Sequence, residues 1–509
     1  MYLLPGGTNP ASLSSSFTNL LAADGIALDI TNKYGKGLGN SQKANFAPRV
    51  GFAYQVSPKL VARGGFGMFY NGFENRGYSP NLGESYPFQF DFNYTPPNDG
   101  IPHTYPSSCA TAGPGGTATF ESGFSCIPLD PTKVLANGLQ LRGIQFNYQT
   151  PYTMSGNFTL QYQLTPTLSV QAGYVTSLAR HLETFPNSNN PTAILPTGTQ
   201  LTNTAGNNGG VGSGAWPSAQ GGIPFPDFGN GGSYAVTNGN SYYNGLQTKV
   251  EKRFGAGLNF LATYTWSQTR TDAGDLLNGG SNASFRAPDV PGLGIHYDYG
   301  LGGFDIRNVF HLSGGYELPF GKGKHFLGDS GVASKVFGGW SINTSVVLQG
   351  GQPITLSCPS NTSSGSGCYD LIVPGQSLDR GVHIDSNGKV SFFGNRAAFS
   401  QPATCAALPC PVSTLGGPPD QIAGPTFKRM DFSAFKQIPL NERFRLEFRA
   451  EFFNLFNHPN FNAPNFGGNG VVAVSNSGNF TSSNFGEIGS TRDAPYDPRQ
   501  IQFALKLYF

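Results

Sequence analysis

The chain has 509 residues and a formal net charge of +2, with only 12% of residues charged, about half of the ~25% usual for soluble proteins. Glycine supplies 70 residues, aromatics make up 13%, and mean hydropathy is −0.24, yet no uninterrupted apolar run reaches the ~18 residues of a spanning helix. The net charge is uninformative and nothing suggests a nucleic-acid partner, and because only helices and closed barrels satisfy every backbone polar group in lipid, a membrane setting leaves the β-barrel.

In chain order, residues 1–44 read as an irregular lead-in, and their start, MYLLPGGTNPASLSSSF, lacks the basic opening and apolar core of a signal peptide. A first hairpin is expected from Asn45–Val56 and Lys59–Phe73 around Ser57-Pro58, with Val50, Phe52, Tyr54 and Val56 on one face and Arg49 and Gln55 on the other. A second joins Tyr152–Leu164 to Leu168–Leu178. There Met154, Phe158, Leu160, Tyr162 and Leu164 alternate with Thr, Ser, Asn and Gln, the period-two signature of a strand with one apolar face. A third joins Tyr242–Phe254 to Leu258–Thr269 through Gly255-Ala256-Gly257. Asp305–Glu317 and Gly338–Gly350 follow, separated by a Gly- and Lys-containing turn, then Phe427–Ile438 and Glu442–Asn454 across Pro439-Leu440-Asn441. The last segment, RQIQFALKLYF, places Ile501, Phe503, Leu505, Leu507 and Phe509 at every second position up to the carboxyl terminus.

Eleven strands are thus expected. Long Gly-, Pro-, Ser- and Asn-rich stretches (74–151, 179–241, 270–304, 351–426 and 455–498) alternate with the tight turns. Loops this long are uncommon within compact soluble domains, whereas short periplasmic turns and long extracellular loops are the rhythm of an outer-membrane barrel. Strands of about eleven residues at ~3.3 Å each, tilted ~45°, span roughly the 25 Å apolar band of such barrels. Trp266 and Tyr152 would lie near the outer interface and Trp340 near the inner one, depths that aromatic rings favour. The competing soluble reading is an all-β protein whose apolar rows pack on a second layer.

Charges cluster on the other face. In Glu442–Asn454, Arg443, Arg445, Glu447, Arg449 and Glu451 alternate with Phe444, Leu446, Phe448, Ala450 and Phe452. An Arg facing lipid at mid-depth costs about 2–4 kcal/mol, so this row is expected to face the lumen together with Arg49, Arg63, Arg253, Arg307, Glu317, Arg429 and Asp431. It would either present charge to a plug or substrate, or form a salt-bridge ladder between neighbouring strands. The alternating Tyr86, Phe88, Phe90, Phe92 and Tyr94 suggest a strand above the membrane or a binding face in a loop.

Six cysteines fall into three close pairs, Cys109 with Cys126, Cys358 with Cys368 and Cys405 with Cys410, all in long loops. Of 15 possible connectivities nearest-neighbour pairing is the simplest; free thiols remain open, and a metal site is weaker because no pair has CxxC spacing. No cofactor is expected. Among seven histidines only His311 falls on a lumen-facing strand position, a setting for barrel lining rather than for a nucleophile–base pair. The GYELPFGKG run (315–323) lacks the spacing and the Ser/Thr of a phosphate loop, so an enzyme is not expected.

Four stretches carry a family likeness: NFAPRVGFAY (45–54), FDIRNVFHLSGGYELPFGKGK (304–324), RFRLEFRAEFFNLFNHPNF (443–461) and the terminal strand. Over most of 45–509 the chain resembles the carboxyl-terminal part of a large TonB-dependent outer-membrane receptor, of the type that begins with a carboxypeptidase-regulatory-like domain. The resemblance implies a transmembrane antiparallel barrel of twenty-two strands, about half of them present here, and a Gram-negative outer-membrane location. It also implies recognition of the strand ending at Phe509 by the barrel-assembly machinery. A plug domain and the energy-coupling protein TonB would act only through an amino-terminal part outside this stretch, so that residues 1–44 would be the end of a truncated extracellular loop. Loop aromatics Phe88, Phe90, Tyr94, Trp216 and Phe225 could stack on a ligand or pack the loops. The expected function is energy-coupled uptake of a bulky, unidentified ligand; a passive pore or a surface adhesion scaffold is the alternative.

Overall fold

The computed structural model describes residues 1–34, 38–40, 42–71, 86–88, 132, 139–197, 224–225, 228, 234–273, 290, 292–328, 331–356, 368–464, 480–492 and 498–509. One sheet dominates. Its eleven long strands are β1 (Arg49–Ser57), β2 (Leu60–Tyr70), β3 (Tyr152–Thr165), β4 (Leu168–Thr184), β5 (Tyr234–Gly255), β6 (Leu258–Thr271), β7 (Asn308–Glu317), β8 (Trp340–Gln349), β9 (Phe427–Pro439), β10 (Arg445–Phe453) and β11 (Gln500–Tyr508). They pair as an antiparallel meander, each with its neighbour in sequence. β1 and β11 are its edges, and the barrel is not closed. All eleven expected strands are present, with ends shifted by a few residues. The largest difference is β5, which begins at Tyr234 rather than Tyr242; its first turns pair with Leu182–Thr184 of a lengthened β4, so partner strand geometry overrides the Asn- and Gly-rich local sequence.

The two faces separate by register. Leu258, Tyr316, Ile342, Ala434, Ala450 and Phe503 lie opposite one another across β6–β11. One residue along, Asn259, Gly315, Asn343, Ser433, Glu451 and Gln502 form the adjacent row on the other face. The apolar rows remain open: Phe503 is 66% exposed, Leu505 64% and Tyr54 65%. Among the described residues no second sheet or helix covers these three. Glycines open space where strands crowd; a Cβ on Gly314 would lie 2.6 Å from the Asn259 carbonyl oxygen.

Ordinary hydrophobic cores sit in the loops. The lead-in, expected from its sequence to be irregular, holds regular structure: Tyr2–Pro5 and Leu28–Thr31 pair in parallel around helix α1 (Ser15–Ala23). The Ser14 hydroxyl caps α1 by accepting from the Phe17 N–H. Phe17 and Leu21 are fully buried and pack with Leu4 of the lead-in and with Tyr86, Leu141 and Phe228 from two later loops. The physical reason is non-local: the apolar side chains of 2–31 are too few to close a core alone, and those loops complete it. A second core joins Ile354, Leu356, Phe392, Phe393, Phe399 and Ile422 to Phe485 and Ile488, tying the β8–β9 loop to the β10–β11 loop. Ile194, Val290 and Leu415 link three further stretches. These clusters form a roof over the long-loop end of the sheet.

Candidate functional site

The polar face is the first half of the site. Following the register from strand to strand places Arg49, Arg63, Arg445, Glu447, Arg449 and Glu451 on this one face, with Glu317, Arg429 and Asp431; Arg307 lies just before β7, its carbonyl accepting from the Ser267 N–H at 3.0 Å, and Arg253 lies at the irregular end of β5. Among the described residues these charges form ion pairs along strands, between positions i and i+2. Lys249 Nζ lies 2.7 Å from Glu251, whose other oxygen lies 4.0 Å from Arg253. Arg429 Nε is 3.1 Å from Asp431, which also accepts from the Asn454 N–H at 2.8 Å. Arg449 donates to Glu447, and its guanidinium stands 4.9 Å from the Phe435 ring centroid. The geometry is dictated by the pleat: same-face neighbours on one strand are two residues apart, within reach of a long Arg or Lys side chain.

Arg445 lies 4.7 Å over the Tyr508 ring, whose hydroxyl is 3.4 Å from Glu447. Arg49 lies 4.5 Å over Phe69, and Arg307 Nε 3.8 Å from Asp305. Glu451 sits between Ser433 and Gln502 in the register. Tyr508, read from sequence on the polar side of the last strand, joins this surface, whereas Lys249, Glu251 and Phe435 were missed; for the first two the signal available was opposite charge at i, i+2 within a period-two strand. His311 faces Thr263 and Val347. Among the described residues no group of three or more His, Cys, Asp or Glu is placed to hold a metal ion.

The roof is the second half. Arg396 donates to the carbonyls of Phe480, Ser482 and Ser483 at 2.7–3.2 Å, and Lys389 pairs with Glu487 at 2.8 Å, so two loops are clamped by charge as well as by their shared core. Cys405 and Cys410 form a disulfide; the Cys405 carbonyl accepts from the Thr197 N–H at 2.8 Å, and the Cys405 N–H donates to the Thr197 hydroxyl at 3.0 Å. Cys368 is also disulfide-bonded; Cys109, Cys126 and Cys358 lie outside the described residues. Under the roof, Asp370 is fully buried, with Oδ2 3.5 Å from the Phe480 N–H and no hydrogen-bond partner for Oδ1 among the described residues. Burial pushes its carboxyl up to about 7, and burial likewise raises Asp420 to about 6 against a hydrogen bond from Thr355. Of the loop aromatics, Phe225 packs on the first roof core, and Phe88 is 60% exposed in a turn with Tyr86 buried two residues before it. The alternating run therefore does not begin as a strand; Phe90, Phe92, Tyr94 and Trp216 lie outside the described residues.

A family model described as an outer membrane beta barrel domain matches residues 7–502. No curated protein matches the chain. Solved structures similar to it include FpvA of P. aeruginosa bound to heterologous pyoverdines (9% identity, TM-score 0.37, covering 92% of this chain and 33% of that one). The outer membrane transporter YddB from Escherichia coli is similar at 9% identity and TM-score 0.40, over 93% of this chain and 41% of that one. The FrpB iron transporter from Neisseria meningitidis stands at 9% and 0.35, over 91% and 39%. The chain thus spans about a third to two fifths of the length of these structures. With a match across nearly its whole length, a two-faced antiparallel sheet and an uncovered apolar side, the chain belongs to the outer membrane beta-barrel domain family of the Gram-negative outer membrane.

Proposed function

We propose that residues 45–509 form the barrel portion of an energy-coupled outer-membrane receptor that takes up a bulky ligand, with residues 1–44 part of its extracellular roof. The supporting observation is the pairing of a charged, ion-paired face, suited to a wet lumen, with long loops folded into a roof over one end. The resemblance to TonB-dependent receptors supplies the coupling: TonB would act on a plug domain seated against the polar face, where Arg445, Glu447, Arg449 and Glu451 form a charged contact strip. The barrel-assembly machinery would engage the strand ending at Phe509, and the remaining cysteine pairs would stitch the loops. A passive pore or adhesion scaffold needs neither plug nor energy.

Uptake of siderophores, oligosaccharides, cobalamin and peptides by a strain lacking the full-length locus tests this reading. Loss of one uptake, restored by the gene and abolished when the proton-motive force is dissipated, supports it. Uptake unchanged across all candidates, or restored uptake that survives dissipation, overturns it.

A further inference from the structure

Most turns at the end opposite the roof are tight, but the connection from Glu317 to Trp340 holds a helix, α2 (Val332–Phe337), where the sequence suggested a simple turn. Its placement is built rather than loose. Trp340 Nε1 donates to the Val336 carbonyl at 3.1 Å, and Lys436 Nζ donates to the carbonyls of Lys335 and Gly338 at 3.0 and 3.1 Å. Gly339 has φ +74°, and a Cβ there would lie 2.6 Å from the Gln437 carbonyl oxygen, so only glycine allows this approach. Trp340 and Lys436 are register partners on the apolar face of the sheet. Trp340 meets Phe448 edge-on at 6.5 Å, and Phe448 stacks on Phe503 at 6.2 Å. The helix is therefore fixed to the lipid-facing side at the rim.

It presents grease outward. Val332, Val336 and Phe337 are exposed at 79%, 53% and 58%, and beside them Leu318, Phe320, Leu327, Val336, Phe337 and Trp340 line a cavity of about 360 Å³. Between Glu317 and Trp340 the sequence has Lys322, Lys324 and Lys335 against a single acid, Asp329. The three lysines are exposed, and Lys324 lies 2.9 Å from Glu317. Apolar side chains at interface depth with lysines beside them are the pattern of segments that bind anionic membrane surfaces.

We propose that the β7–β8 connection is an interfacial anchor that binds an anionic phospholipid of the periplasmic leaflet, with an acyl chain in the apolar cavity and the headgroup phosphate among Lys322, Lys324 and Lys335. The occupant follows from continuity: the exposed apolar surface of α2 runs through Trp340, Phe448 and Phe503 into the belt of the barrel that already meets lipid. The proposal rests on the outer-membrane orientation of the sheet and not on what, if anything, the barrel transports.

The test reads lipid retained by the purified full chain after exchange from detergent containing equal phosphatidylglycerol and phosphatidylcholine. The wild type is expected to retain phosphatidylglycerol at least five-fold over phosphatidylcholine. Lys322→Gln, Lys324→Gln and Lys335→Gln combined should bring the ratio to near one without lowering phosphatidylcholine retention; Phe337→Asp should lower retention of both lipids several-fold. Leu440→Asp, in a different turn at the same end, serves as the control that changes neither. All five positions are exposed, so folding should persist, verified for each variant by its strand circular dichroism. A triple variant that keeps the wild-type ratio, a Phe337→Asp variant that retains lipid normally, or wild-type protein that prefers neither lipid would overturn the proposal.

Discussion

Phe503→Arg is the sharpest test of the two-faced sheet. Phe503 sits mid-strand on β11, opposite Ala450, with its ring stacked on Phe448 and two thirds of its surface uncovered. In a soluble protein, replacing an exposed Phe by Arg costs little, typically within about 0.5 kcal/mol. In lipid the same change places a guanidinium near mid-depth, about 2–4 kcal/mol on the lipid face of a barrel. Gln502 is the internal control: one residue earlier, opposite Glu451, it lies on the polar face, where Arg meets water and a carboxylate and should cost less than about 0.5 kcal/mol. The assay is refolding of the full chain into phospholipid vesicles followed by guanidinium titration of each variant. A Phe503→Arg loss of about 2–4 kcal/mol with Gln502→Arg near zero is the expected result. Equal effects, or a larger loss at Gln502, would refute the assignment of faces.

Glu447→Gln removes the charge from the Arg449 pair and should destabilise the vesicle-folded chain by about 1–2 kcal/mol, read in the same titration; Glu317→Gln, whose partner Lys324 is on an exposed turn, should cost less than about 0.5 kcal/mol. The buried carboxyls make the roof pH-sensitive. Because folding raises Asp370 from 3.8 to about 7, the folded roof binds the extra proton, so its stability is greatest near pH 4 and falls as pH rises towards 7, by at most about 4 kcal/mol. Proteolysis of residues 351–426 should therefore be faster at pH 8 than at pH 5, and Asp370→Asn should flatten that difference. Cys405→Ser with Cys410→Ser opens a loop of sequence separation 5, worth about 2 kcal/mol by loop entropy; the readout is faster cleavage around Thr197 and Cys405 with unchanged strand circular dichroism.

The spanning strands were legible because lipid on one side and water on the other impose period two on every strand, and no tertiary partner disturbs that pattern. Ile501 through Leu507 show it most plainly. The roof was not legible for the opposite reason. The core around Phe17 and Leu21 is completed by Tyr86, Leu141 and Phe228, more than sixty residues away in each case, and α1 carries no long amphipathic pattern to announce itself. The short helix α2 was hidden by its glycine- and lysine-rich surroundings; its position depends on Lys436, about a hundred residues later. In the charged row, residue types and face could be read from sequence, but the partners could not, since a strand pleat permits both i, i+2 and cross-strand contacts.

That choice of partners bears on what holds the strands in register. Ion pairs such as Glu447–Arg449 and Arg429–Asp431 lie within single strands; what these groups add across strands is a few contacts, Arg449 on the Phe435 ring, Glu447 with the Tyr508 hydroxyl and Asp431 with the Asn454 N–H. Backbone hydrogen bonds tie one strand to the next, but a ladder alone tolerates sliding in steps. A slip by one residue at β10 would turn Arg445 and Arg449 towards lipid at about 2–4 kcal/mol each near mid-depth. It would also bring Phe448 and Phe452 to the wet face, losing lipid burial of about 1.5–3 kcal/mol apiece. Register is therefore fixed less by attraction between neighbours than by the cost of inverting the faces, and the i, i+2 pairs are what let so many charges share the inner face without repelling one another.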